Sequence, residues 1–177
     1  MARRNGSRPD AVDFMMEEWR RECPELDVSA MGVFGRLHRA YYRYQDQLTQ
    51  VFASFELTMS DFSILAALRR AGSPFRRTAG ELADANLVTT GGITQRVDKL
   101  ERSGLVGRQR DPQDRRVVYV DLTDRGLEVV DEVSEAHFAN ERRMLGGLTS
   151  TEQDRLADLL SRLETSLDFA EVQERAG

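Results

Sequence analysis

TAGELADANLVTTGGITQRVDKLERSGLVGRQRDPQDRRVVYVDL, residues 78–122, is the stretch whose reading decides the fold. Thr78 with Glu81 three residues on is a capping-box pattern opening a short helix, with Leu82 and Ala83 facing inward and Asn86 breaking it. Thr89 suits the N-cap of a second helix, Thr90 to Ser103, whose apolar stripe is Ile93, Val97 and Leu100. Gly104 follows as a C′ glycine. Leu105 to Arg110 and Arg116 to Leu122 read as two strands, joined by the turn chemistry of Asp111, Pro112, Gln113, Asp114 and Arg115. Helix, turn, helix and basic hairpin in this order form a winged helix-turn-helix, a layout that reads duplex DNA.

The side chains fit that use. The stripe leaves Thr90, Gly91, Thr94, Gln95, Asp98 and Lys99 pointing away from the core. Gly91 and Gly92 weaken an ordinary helix by roughly 1 kcal/mol each. At an N-terminus facing a phosphate backbone they allow close approach, and the helix dipole favours the anion. Gln95 can bond adenine bidentately, Arg96 guanine, and a methyl of Thr90 or Thr94 can touch thymine. Lys99 and Arg102 suit phosphates, which position without specifying. In the wing, Arg108 and Arg110 suit phosphates, and Arg115 or Arg116 suits a narrow minor groove. Asp114 suits bracing an arginine or capping the turn. The candidate DNA set is therefore Thr89, Thr90, Gly91, Gly92, Thr94, Gln95, Arg96, Lys99, Arg108, Arg110, Asp114, Arg115 and Arg116. Taken alone, the helix also reads as an ordinary surface helix and the hairpin as a solubilising one; their adjacency favours DNA.

Outward from this stretch the chain is helical. PDAVDFMMEEWR, residues 9–20, starts on Pro9 and Asp10 and sets Val12, Met15, Met16 and Trp19 on one stripe, ending at Pro24. From Ser29 to Phe55, Phe34, Leu37, Tyr41, Tyr44, Leu48, Val51 and Phe55 form a seam in steps of three and four, suited to packing within the subunit or across a dimer. Thr58 with Asp61 starts a helix from Met59 to Arg70, which Gly72, Ser73 and Pro74 stop. Thr123 caps a helix running to Leu145. Thr149 with Glu152 opens a final helix of about five turns along Leu156, Leu159, Leu160, Leu163 and Leu167. Residues 1–8 read as a disordered basic tail.

Composition sets the outer bounds. The 177 residues are 40% hydrophobic and 31% charged, enough for one compact domain or a domain with helical extensions. The net charge of -5 argues against nucleic acid until its distribution is read. Residues 86–120 hold seven Lys/Arg and four Asp/Glu, net +3, against eighteen and twenty-six elsewhere, net -8. A basic island in an acidic chain is the footprint of a DNA reader, although a solvated basic face has the same charge. No apolar run is long enough for a membrane span, no signal core follows the basic start, and a single cysteine fits the reducing cytoplasm. Glu22 and Glu25 flank Cys23 and disfavour its thiolate, so it reads as inert. His38 and His137 sit in helical stripes as packed or hydrogen-bonded groups. The sequence shows no metal spacing, no cofactor motif and no nucleophile with a base, so an enzyme is not expected.

The run GGITQRVDKLERSGLVGRQRDPQDRRVVYVDLTDRG, residues 91–126, resembles the signature of the MarR family of bacterial transcriptional regulators. The resemblance extends from about Ser29 to Phe169. It implies a homodimer in which helices from both chain ends interdigitate and place two winged modules on an inverted-repeat operator. The family's recognition helix falls on Thr89 to Arg102, and its wing motif on Asp114 and Arg116. A narrower resemblance is to members answering to urate and related anionic metabolites, which carry an extra N-terminal helix with a tryptophan, matching Trp19, and an arginine matching Arg70. Where those members carry an aspartate, this chain has Ser63. Losing that carboxylate points to a more anionic ligand, an aromatic or aliphatic carboxylate. Trp19, Ser63 and Arg70 are the candidate effector residues. Trp19 equally suits a packing anchor, and Arg70 a helix C-terminal cation.

The expected fold class is mainly α with a small β wing: a winged helix-turn-helix plus N- and C-terminal dimerisation helices. Residues 9–57 and 123–177 form the dimerisation region and 58–122 the DNA-binding domain. The expected function is a cytoplasmic, homodimeric, ligand-responsive repressor on a palindromic operator, with no cofactor, no metal and no membrane partner. Two other readings stay open: a winged-helix DNA binder without small-molecule control, and a winged-helix protein-interaction module.

Overall fold

Capping and periodicity set the element order. The computed structural model describes residues 8–86 and 90–174, which fall into two units dividing at Met59 and Ser60. Thr89 and most of the basic start, residues 1–7, lie outside the described residues.

The first unit holds α1 (Ala11–Glu22) and α2 (Met31–Ala53). Asp10 caps α1 in a reciprocal box with Asp13. Both carboxylates also meet Arg36 of α2: Nε lies 2.8 Å from Asp10 Oδ2, and Nη2 lies 2.8 Å from Asp13 Oδ1. The expected stripe of α1 divides, with Val12 and Met16 buried and Met15 and Trp19 exposed. The reason lies in α2, where two glycines form a notch. A Cβ on Gly35 would come within 3.0 Å of Val12 Cγ1, and one on Gly32 within 3.7 Å of Met16. The notch receives residues four apart and leaves the neighbouring row uncovered. The α2 seam also changes along its length: Phe34, Leu37 and Tyr41 are exposed, Val51 and Phe55 are half-buried and Leu48 is buried, while Phe52, off the expected seam, is buried as well.

The second unit starts with α3 (Met59–Arg70), then β1 (Arg76–Thr78), α4 (Ala79–Asn86), α5 (Thr90–Arg102), β2 (Val106–Arg110) and β3 (Val118–Leu122). The strands form one antiparallel sheet in the order β1-β3-β2, Arg77 pairing with Val120 and Arg108 with Val120 from the other side. Two strands were expected here and three are present. The additional strand, Arg-Arg-Thr, has no alternation of its own and is a strand because β3 offers a free edge. β3 begins at Val118, two residues later than expected, because Asp114 holds the preceding turn. Its side chain accepts from the Arg116 N–H (3.0 Å) and its carbonyl from the Val117 N–H (2.9 Å).

The core of this module is local. Ile64, Leu65 and Leu68 of α3, Leu82 of α4, Ile93, Val97 and Leu100 of α5, and Val120 of β3 are all buried. Gly104, at φ +70°, closes α5 with the paired bonds of a Schellman motif, Gly104 N–H to Glu101 O (2.9 Å) and Leu105 N–H to Leu100 O (3.0 Å).

Next come α6 (Asp124–Met144), a single 3-10 turn at Leu145–Gly147, and α7 (Ser150–Glu174). Thr123 caps α6, accepting from the Gly126 N–H and donating its hydroxyl to the Gly104 carbonyl (2.7 Å). Gly126 lies so close beneath the Leu105 carbonyl that any Cβ there would collide with it. The Thr149–Glu152 box opens α7 as expected (Thr149 N–H to Glu152 Oε2, 2.8 Å). At 25 residues α7 is longer than the five turns its leucines mark. Ala, Glu and Gln beyond the stripe are good helix formers and carry it on.

Candidate DNA interface

The site is one polar helix face beside a basic hairpin. Burial of Ile93, Val97 and Leu100 fixes the roll of α5 and turns Thr94 and Gln95 outward as exposed residues, with Arg96 half-buried beside them. Thr90 and Gly91 stand in the first helical turn, with half-buried Gly92 next to them. The start of the preceding helix is held by Glu81, whose Oε2 accepts from the Thr78 N–H (2.7 Å) and hydroxyl (2.9 Å). Those two bonds keep the Glu81 carboxyl below the usual range.

The cations fall into two groups. Arg110 and Arg115 are exposed in the wing. Arg116 is exposed too, and Asp114 braces it, with Nε 3.2 Å from Oδ1. At the start of the hairpin turn, Asp111 Oδ1 accepts from the N–H groups of Asp114 (2.9 Å) and Gln113 (2.7 Å), which holds its carboxyl low. Lys99 and Arg108 instead have partners inside the module. Lys99 Nζ lies 2.5 Å from Oδ2 of Asp61, and Arg108 reaches Asp98 (2.5 Å) and Glu101 (2.6 Å) on α5. Arg102 donates to the Asp98 carbonyl one turn back. Sequence reasoning missed these pairings. Asp98 and Glu101, one helical turn apart, were the visible signal; Asp61 had none.

A cavity of about 350 Å³ lies between α5 and the wing strands, walled by Ile93, Thr94, Val97, Arg108, Val118 and Val120 among others. Its walls are mainly aliphatic, and its two charged residues, Asp98 and Arg108, are paired with each other.

The other candidate residues lie elsewhere. Ser63 is half-buried and Arg70 exposed, and their separation of seven residues puts both on one face of α3. Trp19 belongs to the first unit, on α1, and is 47% exposed. Cys23 is half-buried and ends α1, its N–H donating to the Trp19 carbonyl (2.8 Å). His137 is buried against Phe62 and Phe138, with Nε2 3.4 Å from Glu141; His38 is exposed and stacks edge-on with Tyr42. Among the described residues no group of three or more His, Cys, Asp or Glu could hold a metal, and no helix is long and apolar enough to cross a membrane.

The comparisons with known proteins agree with this geometry. The MarR family model matches residues 55–117, which cover α3 to the wing. The HTH-type transcriptional regulator PecS of Dickeya dadantii is 36% identical over 156 residues, spanning 88% of this chain and 94% of PecS. Among solved structures, Bordetella bronchiseptica BpsR, whose DNA binding is regulated by 6-hydroxynicotinic acid, is 27% identical with a TM-score of 0.66, over 75% of this chain and 92% of that one. A mutant E. coli MarR complexed with operator DNA is 26% identical with a TM-score of 0.67, over 78% and 99%. The chain belongs to the MarR family: it is a DNA-binding transcriptional regulator of the helix-turn-helix type, not an enzyme.

Proposed function

We propose that this regulator is a homodimeric repressor that binds an inverted-repeat operator and is released by a small anionic or aromatic effector. The observation that carries the DNA mode is the roll of α5, which turns Thr94 and Gln95 outward on the side away from its buried stripe. In this reading Thr89 to Arg96 read bases in the major groove while Arg110, Arg115 and Arg116 follow the backbone and the minor groove. Residues 58–122 serve as the DNA-binding domain. Residues 9–57 and 123–177 serve as the dimerisation region, which the exposed apolar stripes of α2 and α7 support. Two recognition helices on one face of the duplex set half-site centres about 10 bp, or a nearby multiple, apart.

Effector control rests on the likeness to BpsR, which answers to a hydroxylated aromatic acid, and on Ser63 and Arg70 sharing a face of α3. The subgroup answering to urate is the finer reading, and Ser63 shifts its preference toward carboxylates. To release DNA, the effector must bind the free form more tightly than the DNA-bound form.

The test is a footprint on the DNA upstream of its own gene, followed by affinity against salt. Log K falls by about 0.9 per decade of salt for each phosphate contact, and Arg115→Ala with Arg116→Ala makes that slope shallower. Affinity that barely responds to either change would favour a protein-interaction module. Urate, 6-hydroxynicotinic acid and benzoate are then titrated against the complex while Trp19 fluorescence is followed. Release by none of them would favour a DNA binder without small-molecule control.

A further inference from the structure

Asp61 is the most deeply buried ionisable side chain among the described residues, 2% exposed although it lies in the first turn of α3. The helix dipole favours a carboxylate there, but burial this deep also demands a counter-charge. Lys99 supplies it across 38 residues of sequence, with Nζ 2.5 Å from Oδ2. The Lys99 side chain is itself only 45% exposed, its stem running inward from α5. On the other flank of α5, the Arg108 guanidinium forks between Asp98 and Glu101, tying β2 to the same two turns of helix. The C-terminal half of α5 is thus tied on one side to α3 and on the other to the wing, while Thr94 and Gln95 stand exposed about one turn nearer its start.

We propose that Asp61 is a positioning residue for DNA recognition: through Lys99 it sets the pose of α5, so that Lys99, like Arg108, orients the reading helix instead of contacting phosphate. The inference rests on the DNA mode proposed above. A lysine that left Asp61 for a phosphate would give up an ion pair with a carboxylate only 2% exposed, a loss that one exposed phosphate contact does not offset. The arrangement gives the two ion-pair systems one task. Rolling or tilting α5 would move Thr94, Gln95 and Arg96 together across the base edges, so the ties govern specificity more than overall attraction to DNA.

The experiment uses the full-length protein, an operator duplex selected by it from random-sequence DNA, and a scrambled duplex of equal length. Lys99→Gln is expected to weaken operator binding about tenfold, to leave scrambled-duplex binding within twofold, and to keep the wild-type salt slope. Asp61→Asn is expected to weaken operator binding to a similar extent, and the double variant to be no worse than either single one, because both remove one tie. A slope shallower by about 0.9 for Lys99→Gln, or equal weakening on both duplexes, would make Lys99 a phosphate contact and overturn the proposal. Operator binding by Asp61→Asn as tight as wild type, or tighter, would overturn it too. Should Asp61→Asn fail to fold, Lys99→Gln decides alone, since its half-exposed side chain can be replaced without opening the core. Wild-type protein that selects no sequence would sink the DNA mode itself, a result distinct from either.

Discussion

The winged module and the long helices α2 and α7 carry equally clear apolar patterns, yet only the module buries them fully within one chain. Ile93, Val97 and Leu100 of α5 vanish from solvent, whereas Leu156, Leu159, Leu160 and Leu167 of α7 and Phe34, Leu37 and Tyr41 of α2 stay exposed. Composition does not separate the two regions; the supply of cover does. In the module, strands and helices within about fifty residues of one another close over each stripe. Along α7 the described residues of this chain leave the leucine row open, and exposed apolar rows of that extent mark an interaction surface. The proposed dimer covers them with a second copy.

Charging the open row tests that contrast most severely. Leu159→Glu with Leu160→Glu is expected to abolish the dimer, four lost leucines at about 1.5–3 kcal/mol each making it the largest effect. Sedimentation should then show a monomer whose winged module still melts cooperatively. A variant that stayed dimeric would mean that α7 is not the interface.

The closed region is broken from inside at Gly126. Placing a Cβ under the Leu105 carbonyl forces α6 away from the turn that joins α5 to β2, so Gly126→Ala is expected to cost about 2–3 kcal/mol in urea unfolding. A loss below half that amount would show that the turn yields easily and that the module is less tightly closed than its packing suggests.

The smallest effect concerns the entry to the helix-turn-helix. Glu81→Ala removes half of a capping box and is expected to cost about 1 kcal/mol, while Glu81→Gln keeps most of the box. Because the folded carboxyl titrates below its usual range, its contribution is complete at neutral pH and is lost as pH falls through that lowered value. Glu81→Gln should therefore flatten the acid limb of stability against pH, measured by thermal melting between pH 2 and pH 7. An unchanged acid limb would show that ionisation of Glu81 contributes nothing to stability.

Much of the module was legible in advance because its signals are local. The Thr78–Glu81 and Thr149–Glu152 boxes, the Gly104 cap and the stripe of α5 each depend on residues within a few positions, and each stands where the sequence puts it. The wing hairpin was legible for the same reason, save that Arg116 and Val117 belong to its turn. β1 was not legible, since three residues carry no period and gain their identity from β3. Nor was the division of the α1 stripe, which Gly32 and Gly35 of α2 decide.

The candidate site divides along the same line. Sequence alone determined that Thr94 and Gln95 face away from the core of α5 and that a basic hairpin follows, because helical periodicity is a property of the backbone. Asp98 and Lys99, expected on the same outer side, are half-buried in ion pairs. Tertiary structure decided that Lys99 is already engaged with a buried Asp61 and Arg108 with two carboxylates on α5. A net charge counts all of these equally. The reason is that an ion pair depends on distance in space, and Lys99 and Asp61, 38 residues apart, meet only once α3 and α5 have packed.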